Sequence, residues 1–541
     1  MTRFPRFIPS IVALALGACA VGPNFRPPAT PAASAGKYGA ADSIAVSSEP
    51  LPEKWWQLYD DPALDALVTE ALTANTDIRV ATASLRRARA ILSETRGQLL
   101  PSTNISGGAA YVRSNGTSGG GSGGTSSIGT GTGGAGTGTG TGAGGTGIGT
   151  GTGTGTGGTG AGTGGTGTGN GTTGTTGATV TSSSYQGQFY QAGLDVSYEL
   201  DLYGRVRRDI EASRADLAAQ EAQRDTVRTS VAAETARAYA DACSAALQIG
   251  VARQSLSLQL ETYDLTERLA QAGRGTPLDT SRARAQYEQV RATLPSFVAS
   301  RRDALYRLSV LTGHPPEETP SAAAACTTPP VLKRPIPVGD GTALIKRRPD
   351  IRQADRNLAA ATARIGVATA ALYPKISLGG SIGTSGISLS QLGGKEGLTF
   401  NVGPLLSWTF PNITVARARI RQAEASSEAA LASFDGTVLT ALQETETAMT
   451  DLAGELDRQA ALTAARDYSA EAARIVGLRY GAGAENFLAV LDAQRTLATA
   501  EANLAASRAQ LTTDQVAVFK ALGGGWENAP ETNTSLKVTY P

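Results

Sequence analysis

The 541-residue sequence predicts a mainly α-helical protein that also contains membrane β-strands. Three observations support this fold class. Two long segments have the alanine-rich, charged composition of long helices, shorter segments alternate apolar and polar residues as strands do, and the second half repeats motifs of the first. We therefore predict two repeats, each with two strands and several helices.

The long helices are predicted from Arg205 to Ala272 and from about Val415 to Arg479. The first of these segments has no proline and a single glycine, Gly250. At 1.5 Å per residue, an uninterrupted helix of this length reaches roughly 100 Å. Helices so much longer than those of ordinary globular proteins suggest coiled-coil packing. Small alanine side chains would let such helices approach each other closely.

The clearest strand runs from Leu194 to Leu202, where apolar and polar residues alternate throughout. Leu398–Val402 and Ile376–Leu378 alternate too. About nine alternating residues suit a tilted outer-membrane strand with apolar side chains toward lipid; a half-exposed sheet of a soluble domain is the alternative. Four strands are too few to close a barrel, and an open edge in lipid leaves backbone groups unsatisfied. Membrane strands would therefore require oligomerisation.

Matching positions in the two halves indicate a duplication. Pro101 matches Pro374 at an offset of 273, whereas Gly193 matches Gly403 at an offset of 210. The offsets differ by 63 residues, which suggests one long insertion in the first half. We predict a first repeat at 55–313 with an inserted loop at 114–184, a linker at 314–339, a second repeat at 340–526 and a tail at 527–541.

The insertion is a Gly/Thr tract. Residues 116–177 contain 32 of the 65 glycines, and no Asp, Glu, Lys or Arg occurs from Ser114 to Leu194. With almost no apolar side chains to bury, the tract is predicted to be a flexible loop, placed outside the cell between the first two strands. Glycine does not recur at every third residue, as collagen requires, and no phosphate-loop motif occurs in the tract.

The N-terminus resembles an export signal. A short positive region precedes an apolar run from Phe7 to Leu16, which is long enough for a signal peptide but too short to span a bilayer. The run ends in Leu16-Gly17-Ala18-Cys19, which resembles a bacterial lipobox with Cys19 as the lipidated residue. Ala20, by resemblance to the sorting rule, favours the outer membrane. The predicted signal peptide is 1–18, and the lipid-anchored segment is 19–54.

Composition argues against several classes of function. Lys and Arg total 48 against 47 for Asp and Glu, so no basic excess supports nucleic-acid binding. One histidine, His314, and three cysteines leave no zinc cluster, catalytic triad or Cys-x-x-Cys pair. We predict no enzyme activity, no metal and no cofactor besides the covalent lipid on Cys19. The spacing leaves open whether Cys243 and Cys326 form a disulfide.

Several motifs, in the right order, resemble outer-membrane factor lipoproteins of the TolC superfamily, of the NodT/OprM type. The resemblance runs from the signal peptide to about Trp526, apart from the Gly/Thr tract. Its motifs are Val21-Gly22-Pro23-Asn24-Phe25, Trp55-Trp56-Gln57-Leu58-Tyr59-Asp60-Asp61-Pro62, Leu311-Thr312-Gly313-His314-Pro315-Pro316, Arg347-Arg348-Pro349-Asp350 and Ala363-Arg364-Ile365-Gly366-Val367-Ala368. The fourth is expected to cap a helix and carry surface charge.

The resemblance implies a homotrimer in which four strands per protomer form one 12-stranded barrel and the helices form a hollow α-barrel across the periplasm. The protein would lie in the cell outer membrane, lipid-anchored and in contact with outer-membrane lipid. It would be a passive exit duct for small molecules such as drugs and toxic compounds. A resistance-nodulation-division pump of the inner membrane and a periplasmic adaptor (membrane fusion) protein would deliver them.

Two other functions stay open. The first is the exit duct of a type I protein-secretion system, although the lipobox and the tryptophan pair Trp55-Trp56 favour efflux. The second is a surface-displayed structural or adhesive lipoprotein that presents the Gly/Thr tract. The sequence does not identify the transported substrate.

The resemblance also implies a periplasmic gate in two helix–helix turns. Asp279 takes the place of an acidic residue that accepts a hydrogen bond from a tyrosine on the other turn, and Tyr480 takes the place of that tyrosine. Asp492 matches one pore-lining aspartate.

The sequence departs from the TolC pattern at the second turn. Ala489 stands where a second pore-lining aspartate is expected, and Glu485 stands where a gate arginine is expected. Leu488 is a candidate for an apolar constriction of the pore.

We expect the mature protein to begin at a lipidated Cys19. Mass spectrometry of the N-terminal peptide should find residues 1–18 removed and the Cys19 mass raised by acyl chains. In Cys19→Ser, the acyl mass should be lost. A retained signal peptide or an unmodified Cys19 in the wild-type protein would contradict this prediction.

Overall fold

The computed structural model describes residues 20–29, 38, 46–114, 185–395, 397–408 and 413–531. The predicted signal peptide, Cys19 and residues 115–184 of the predicted Gly/Thr loop lie outside these ranges. Predictions about them therefore stay predictions. The chain is mainly helical, at 68%, as the sequence predicts.

The elements of the described residues follow one another along the chain, with short 3-10 helices at Trp55–Tyr59 and Leu389–Gly393. In order they are β1 (Val46–Ser47), α1 (Pro62–Ala74), α2 (Thr76–Gly97), β2 (Ser102–Ser114), β3 (Tyr185–Leu200), α3 (Arg205–Gln271), α4 (Pro277–Leu311), α5 (Ser321–Ala324), β4 (Ile336–Pro337), α6 (Gly341–Arg347), α7 (Pro349–Ala370), β5 (Lys375–Gly386), β6 (Leu398–Ser407), α8 (Ile413–Gly481) and α9 (Phe487–Ala521).

Two runs of elements have the same order. Each run has a 22-residue helix (α2, α7), two strands, a very long helix and a 35-residue helix (α4, α9). The very long helices have 67 residues in α3 and 69 in α8.

The two long helices agree with the sequence prediction to within two residues at each end. Alanine supplies much of the buried surface of α3, and α1, α2, α4, α7 and α9 all pack against this helix. The buried alanines of α3 are Ala212, Ala219, Ala222, Ala232, Ala233, Ala236, Ala238, Ala240, Ala242, Ala245 and Ala252. In the described ranges, no helix is both long and apolar enough to cross a bilayer.

Strands β2, β3, β5 and β6 form one sheet in that order, and β1 pairs with β4 in parallel. The three predicted segments fall in β3, β5 and β6, but the predicted end of β3 at Leu202 is wrong. The strand ends at Leu200 because Asp201 turns to the start of α3. There its carboxylate accepts hydrogen bonds from the N–H groups of Val206 and Arg207, at 3.1 and 3.0 Å.

The described chain divides into two compact units. The larger lies within 1–103, 196–380 and 402–541 and contains the α-helices. The smaller lies within 104–195 and 381–401 and contains strand segments and the second 3-10 helix.

Aromatic side chains lie at the centre of the larger unit's core. The Trp55 ring stacks on Phe519, with centroids 4.5 Å apart, and Tyr59 meets Phe519 edge-on at 6.2 Å. All three side chains are buried. Pairs of this kind add about 0.5–1.5 kcal/mol beyond the burial of their area. The Trp55-Trp56 motif therefore fixes the first 3-10 helix to the end of α9.

A disulfide joins Cys243 of α3 to Cys326, which answers the question left open by the sequence. The two cysteines are 83 residues apart, with Cα atoms at 5.2 Å. A bond that closes a loop of this size stabilises the fold by restricting the unfolded chain.

We expect the double variant Cys243→Ala/Cys326→Ala to lose about 2–4 kcal/mol of unfolding free energy. Thermal melts followed by circular dichroism would measure the change. Ser244→Ala is a matched control, because the adjacent Ser244 hydroxyl is buried without a hydrogen-bond partner and its removal should change little. Equal stability of the double variant and the wild type would contradict the prediction.

Candidate functional site: the two helix–helix turns

The turn between α3 and α4 is closed by backbone hydrogen bonds. Gly273 adopts the left-handed conformation, with φ of 70°, and its N–H donates to the carbonyl oxygen of Ala270 at 3.1 Å. The N–H of Arg274 donates to the carbonyl oxygen of Leu269 at 2.8 Å. A left-handed glycine with a bond back to the last helical turn is a common helix stop.

Thr276 caps the helix that follows this turn, and Asp279 lies in the first turn of that helix. The N–H of Asp279 donates to the hydroxyl of Thr276 at 3.2 Å, and that hydroxyl donates to the Asp279 carboxylate at 2.6 Å. A carboxylate in the first turn of a helix also interacts favourably with the helix dipole. The half-buried Asp279 therefore has a local structural role, and within the described ranges its second carboxylate oxygen accepts no hydrogen bond.

The turn between α8 and α9 has the same backbone geometry. Gly483 has φ of 73°, and the N–H of Ala484 donates to the carbonyl oxygen of Arg479 at 2.9 Å. Asn486 caps α9 by accepting from the N–H of Ala489 at 2.8 Å. Ala489 thus stands three residues after the cap, as Asp279 does in the first turn, and it brings no carboxylate there.

The side chains of the second turn form two contacts across it. The Tyr480 ring lies 6.0 Å from that of Phe487, which is buried, and Arg479 pairs with Glu485 at 3.4 Å. Glu485, which stands where a gate arginine is expected, is therefore the anionic partner of an arginine on α8.

The structure does not bring the predicted gate residues together within one chain. Among the described residues, no hydrogen bond joins Tyr480 to Asp279, so the predicted bond requires a turn of a neighbouring protomer and stays a prediction. Asp492 pairs with Arg495 at 2.9 Å, and both side chains are exposed. Leu488 is exposed as well, as an apolar constriction in an assembled pore would require.

A hydrogen bond that the sequence analysis does not predict links the two helical hairpins, α3–α4 and α8–α9. The amide nitrogen of Gln494 on α9 donates to the hydroxyl oxygen of Thr262 on α3 at 2.9 Å. Thr262 belongs to a buried polar series at intervals of four, three and four residues, comprising Ser255, Gln259, Thr262 and Thr266. Polar residues at this coiled-coil spacing are the feature of the sequence that indicates such a contact between helices.

The Arg348 side chain, expected at the surface, is buried and only 8% exposed. Its guanidinium donates to Asp350 at 2.6 Å, to Glu444 at 2.8 Å and to the carbonyl oxygen of Ala521 at 2.8 Å. Burial lowers the pKa of Arg348, but the hydrogen bonds to the two carboxylates outweigh it and the pKa is raised overall. The cluster joins α7, α8 and the end of α9, which is a structural role.

The described part of the chain contains no group of three or more His, Cys, Asp or Glu residues arranged to hold a metal ion. His314, the single histidine, is exposed and lies 2.8 Å from Glu70. The hydrogen bond to Glu70 raises the pKa of His314. The pair joins α1 to the end of α4.

Two long helical hairpins and a four-stranded sheet define the TolC-like class of channel folds. The chain belongs to the outer membrane efflux protein family, whose model matches residues 160–314 and 342–524. The resemblance inferred from the sequence is therefore confirmed. Proteins of this family are channels or ducts rather than enzymes.

Individual relatives match over nearly the whole chain. Nodulation protein T of Rhizobium leguminosarum bv. viciae is 29% identical over 525 residues, covering 96% of this chain and 94% of its own length. Outer membrane protein OprJ of Pseudomonas aeruginosa is 29% identical over 529 residues, covering 96% and 95%. The solved structure of the outer-membrane channel OprN is 33% identical, with a TM-score of 0.77 over 94% of this chain and 100% of that one.

We expect Tyr480→Phe to shift the resting channel toward the open state. A tyrosine hydroxyl bonded to a carboxylate contributes about 1.5–3 kcal/mol when sheltered, and three symmetry-related copies would be lost together. Asp492→Ala should instead reduce cation preference, because in the predicted gate it would remove a ring of negative charge.

Single-channel recordings in planar bilayers would measure both effects. Tyr468→Phe and Asp467→Ala are matched controls, because both residues are exposed on α8 away from the turns. Unchanged conductance in Tyr480→Phe together with unchanged selectivity in Asp492→Ala would show that the gate lies on other residues.

Proposed function

We propose that this protein is the outer-membrane exit duct of a tripartite efflux system. It passively releases small molecules that an inner-membrane resistance-nodulation-division pump and a periplasmic adaptor deliver. Membership of the outer membrane efflux protein family supports the proposal. The structural observation that carries it is the exposure of apolar side chains along the four-stranded sheet.

Strand β6 illustrates this exposure. Leu398, Phe400 and Val402 share one face of the strand and are 55%, 78% and 78% exposed. Soluble monomers rarely expose contiguous apolar surface of this kind, whereas a strand in a bilayer must. The exposed large apolar residues of the four strands are Ile105, Tyr111, Leu194, Val196, Leu200, Leu378, Ile382, Leu398, Phe400, Val402, Leu405 and Leu406.

The order of the strands supports a shared barrel. Strands β2 and β6 are the outer strands of the sheet, so each has one edge without a partner in the described part of the chain. Unpaired backbone groups in lipid cost several kcal/mol each. A homotrimer in which β6 of one protomer pairs with β2 of the next would satisfy both edges and give a 12-stranded barrel.

The remaining parts of the proposal follow from the same assembly. The helical hairpins of three protomers would form the hollow α-barrel in the periplasm, and lipid on Cys19 would anchor each chain to the outer membrane. Internal duplication, with repeats at 55–313 and 340–526, is supported by the repeated order of elements. We propose no catalytic step and no nucleic-acid partner.

We expect Phe400→Arg to reduce the amount of folded protein in the outer membrane, because an arginine facing lipid costs about 2–4 kcal/mol at mid-bilayer. Asn401→Arg, one residue along, is the control, since its side chain points to the opposite face. Cells lacking the protein should become sensitive to the toxic compounds that the pump carries. The wild type and Asn401→Arg should restore resistance, and Phe400→Arg should not.

Two outcomes would contradict the proposal. A surface adhesin predicts no conductance in planar bilayers and no change in drug sensitivity on deletion. A protein-secretion duct predicts that deletion stops the release of a protein into the medium while drug sensitivity stays at the wild-type level.

A further inference from the structure

The stretch that follows the predicted lipidation site is bound to α3 through one buried arginine. The guanidinium of Arg208, only 4% exposed, lies 3.2 Å from the carbonyl oxygen of Val21 and 3.1 Å from that of Gly22. It also donates to the side-chain oxygen of Asn24 at 2.8 Å. Its other terminal nitrogen pairs with Glu211 at 2.8 Å. A single side chain therefore recognises three acceptors within four residues.

Glycines permit the close approach of this stretch to α7. A Cβ atom at Gly22, whose φ is 94°, would lie 2.4 Å from the Cα atom of Gly366. A Cβ atom at Gly366 would lie 2.8 Å from Cγ of Arg208 and 2.9 Å from the carbonyl oxygen of Val21. Such distances are far below van der Waals contact. Two motifs that the sequence presents 344 residues apart thus fit against each other at Gly22 and Gly366.

The bound stretch begins at the connection between a strand and a helix. The N–H of Val21 donates to the carbonyl oxygen of Tyr203, between β3 and α3, at 3.2 Å. The Tyr203 ring stacks on Tyr373, between α7 and β5, with centroids 4.5 Å apart. A Cβ atom at Gly204 would lie 2.7 Å from the Cα atom of Ala20. Ala20, the residue bonded to Cys19, is therefore fixed where strands and helices meet.

We propose that Gly204, Arg208 and Gly366 form a receptor for residues 20–24, which sets the point where the lipidated N-terminus leaves the folded protein. The receptor recognises main-chain carbonyls and one amide oxygen by charge-assisted hydrogen bonds. Without it, residues 20–28 would be a tether that reaches roughly 30 Å when extended. With it, the acyl chains start at the connection between strands and helices. The lipid part rests on the proposed function; the docking itself does not.

Hydrogen–deuterium exchange of the full-length trimer in lipid nanodiscs tests the docking. In the wild type, exchange resolved to single residues should show a slow Val21 amide within residues 20–28, since that amide is hydrogen-bonded. Arg208→Gln should raise its exchange rate about tenfold or more, the effect of losing charge-assisted bonds. Arg207→Gln is the matched control, because the side chain of the neighbouring Arg207 bonds to Asp201 and not to residues 20–24, and its loss should leave the peptide protected.

Milder variants keep the test decisive if Arg208→Gln does not fold. Asn24→Ala removes one acceptor, and Gly366→Ala inserts a methyl group at the contact; both should accelerate exchange in the same peptide. Gly454→Ala in α8 is the control for the second, since a Cβ atom there meets nothing within 4 Å. Equal exchange in the wild type and in both variants, or equal acceleration in the controls, would overturn the proposal.

Cys19→Ser, expressed behind a signal peptide that is cleaved without lipidation, separates the docking from the proposed function. Residues 20–28 should remain protected in this unlipidated protein, because the receptor consists of residues that follow the lipidation site. Loss of protection would show that the lipid, not Arg208, holds the segment, and would overturn the proposal. Rapid exchange in a wild type that still confers resistance would overturn the docking and leave the efflux function standing.

Discussion

The close packing of helices around α3 is the constraint on which the larger unit depends. This 67-residue helix packs against α1, α2, α4, α5, α7 and α9, and alanine is the commonest of its buried residues. Small side chains bring neighbouring backbones close together, but they leave no room for enlargement. A larger residue at Ala236 or Ala238, both almost fully buried, would displace several helices at once. The buried alanine positions of α3 therefore tolerate no larger side chain.

Alanine side chains let the helices pack closely but do not fix how far one helix is shifted along another. Polar side chains on α3 fix this alignment. Arg208 binds the N-terminal stretch, Asp225 pairs with Arg352 of α7 at 3.9 Å, and Thr262 accepts from Gln494 of α9. A buried polar group that lost its partner would cost about 1–3 kcal/mol, so shifted alignments of the helices are disfavoured. Positions along α3 are thus distinguished by hydrogen bonds rather than by shape.

The sequence predicts those features that depend on local chemistry. The predicted ends of the two long helices lie within two residues of the observed ends, because these segments lack proline and stop near Gly273 and Gly483. Strand β5 is far longer than the predicted segment, since its glycines break the alternation while pairing with its neighbours maintains the strand. Docking of Val21 on Arg208, 187 residues away, has no local signal at all. The gate in the two helix–helix turns is implied by the family resemblance, and its predicted contacts require a second protomer.

The burial of the disulfide limits when it can form and how it can be reduced. Disulfides form in oxidising compartments, and the sulfur of Cys243 is fully buried, so an oxidant must reach it before the surrounding helices close. Cys326 is only partly buried and is the sulfur that a reducing thiol could attack. Such an attack would expel Cys243 as a thiolate into an apolar core, where desolvation makes it a poor leaving group. The bond, once made, is therefore expected to outlast changes in the redox state of its surroundings.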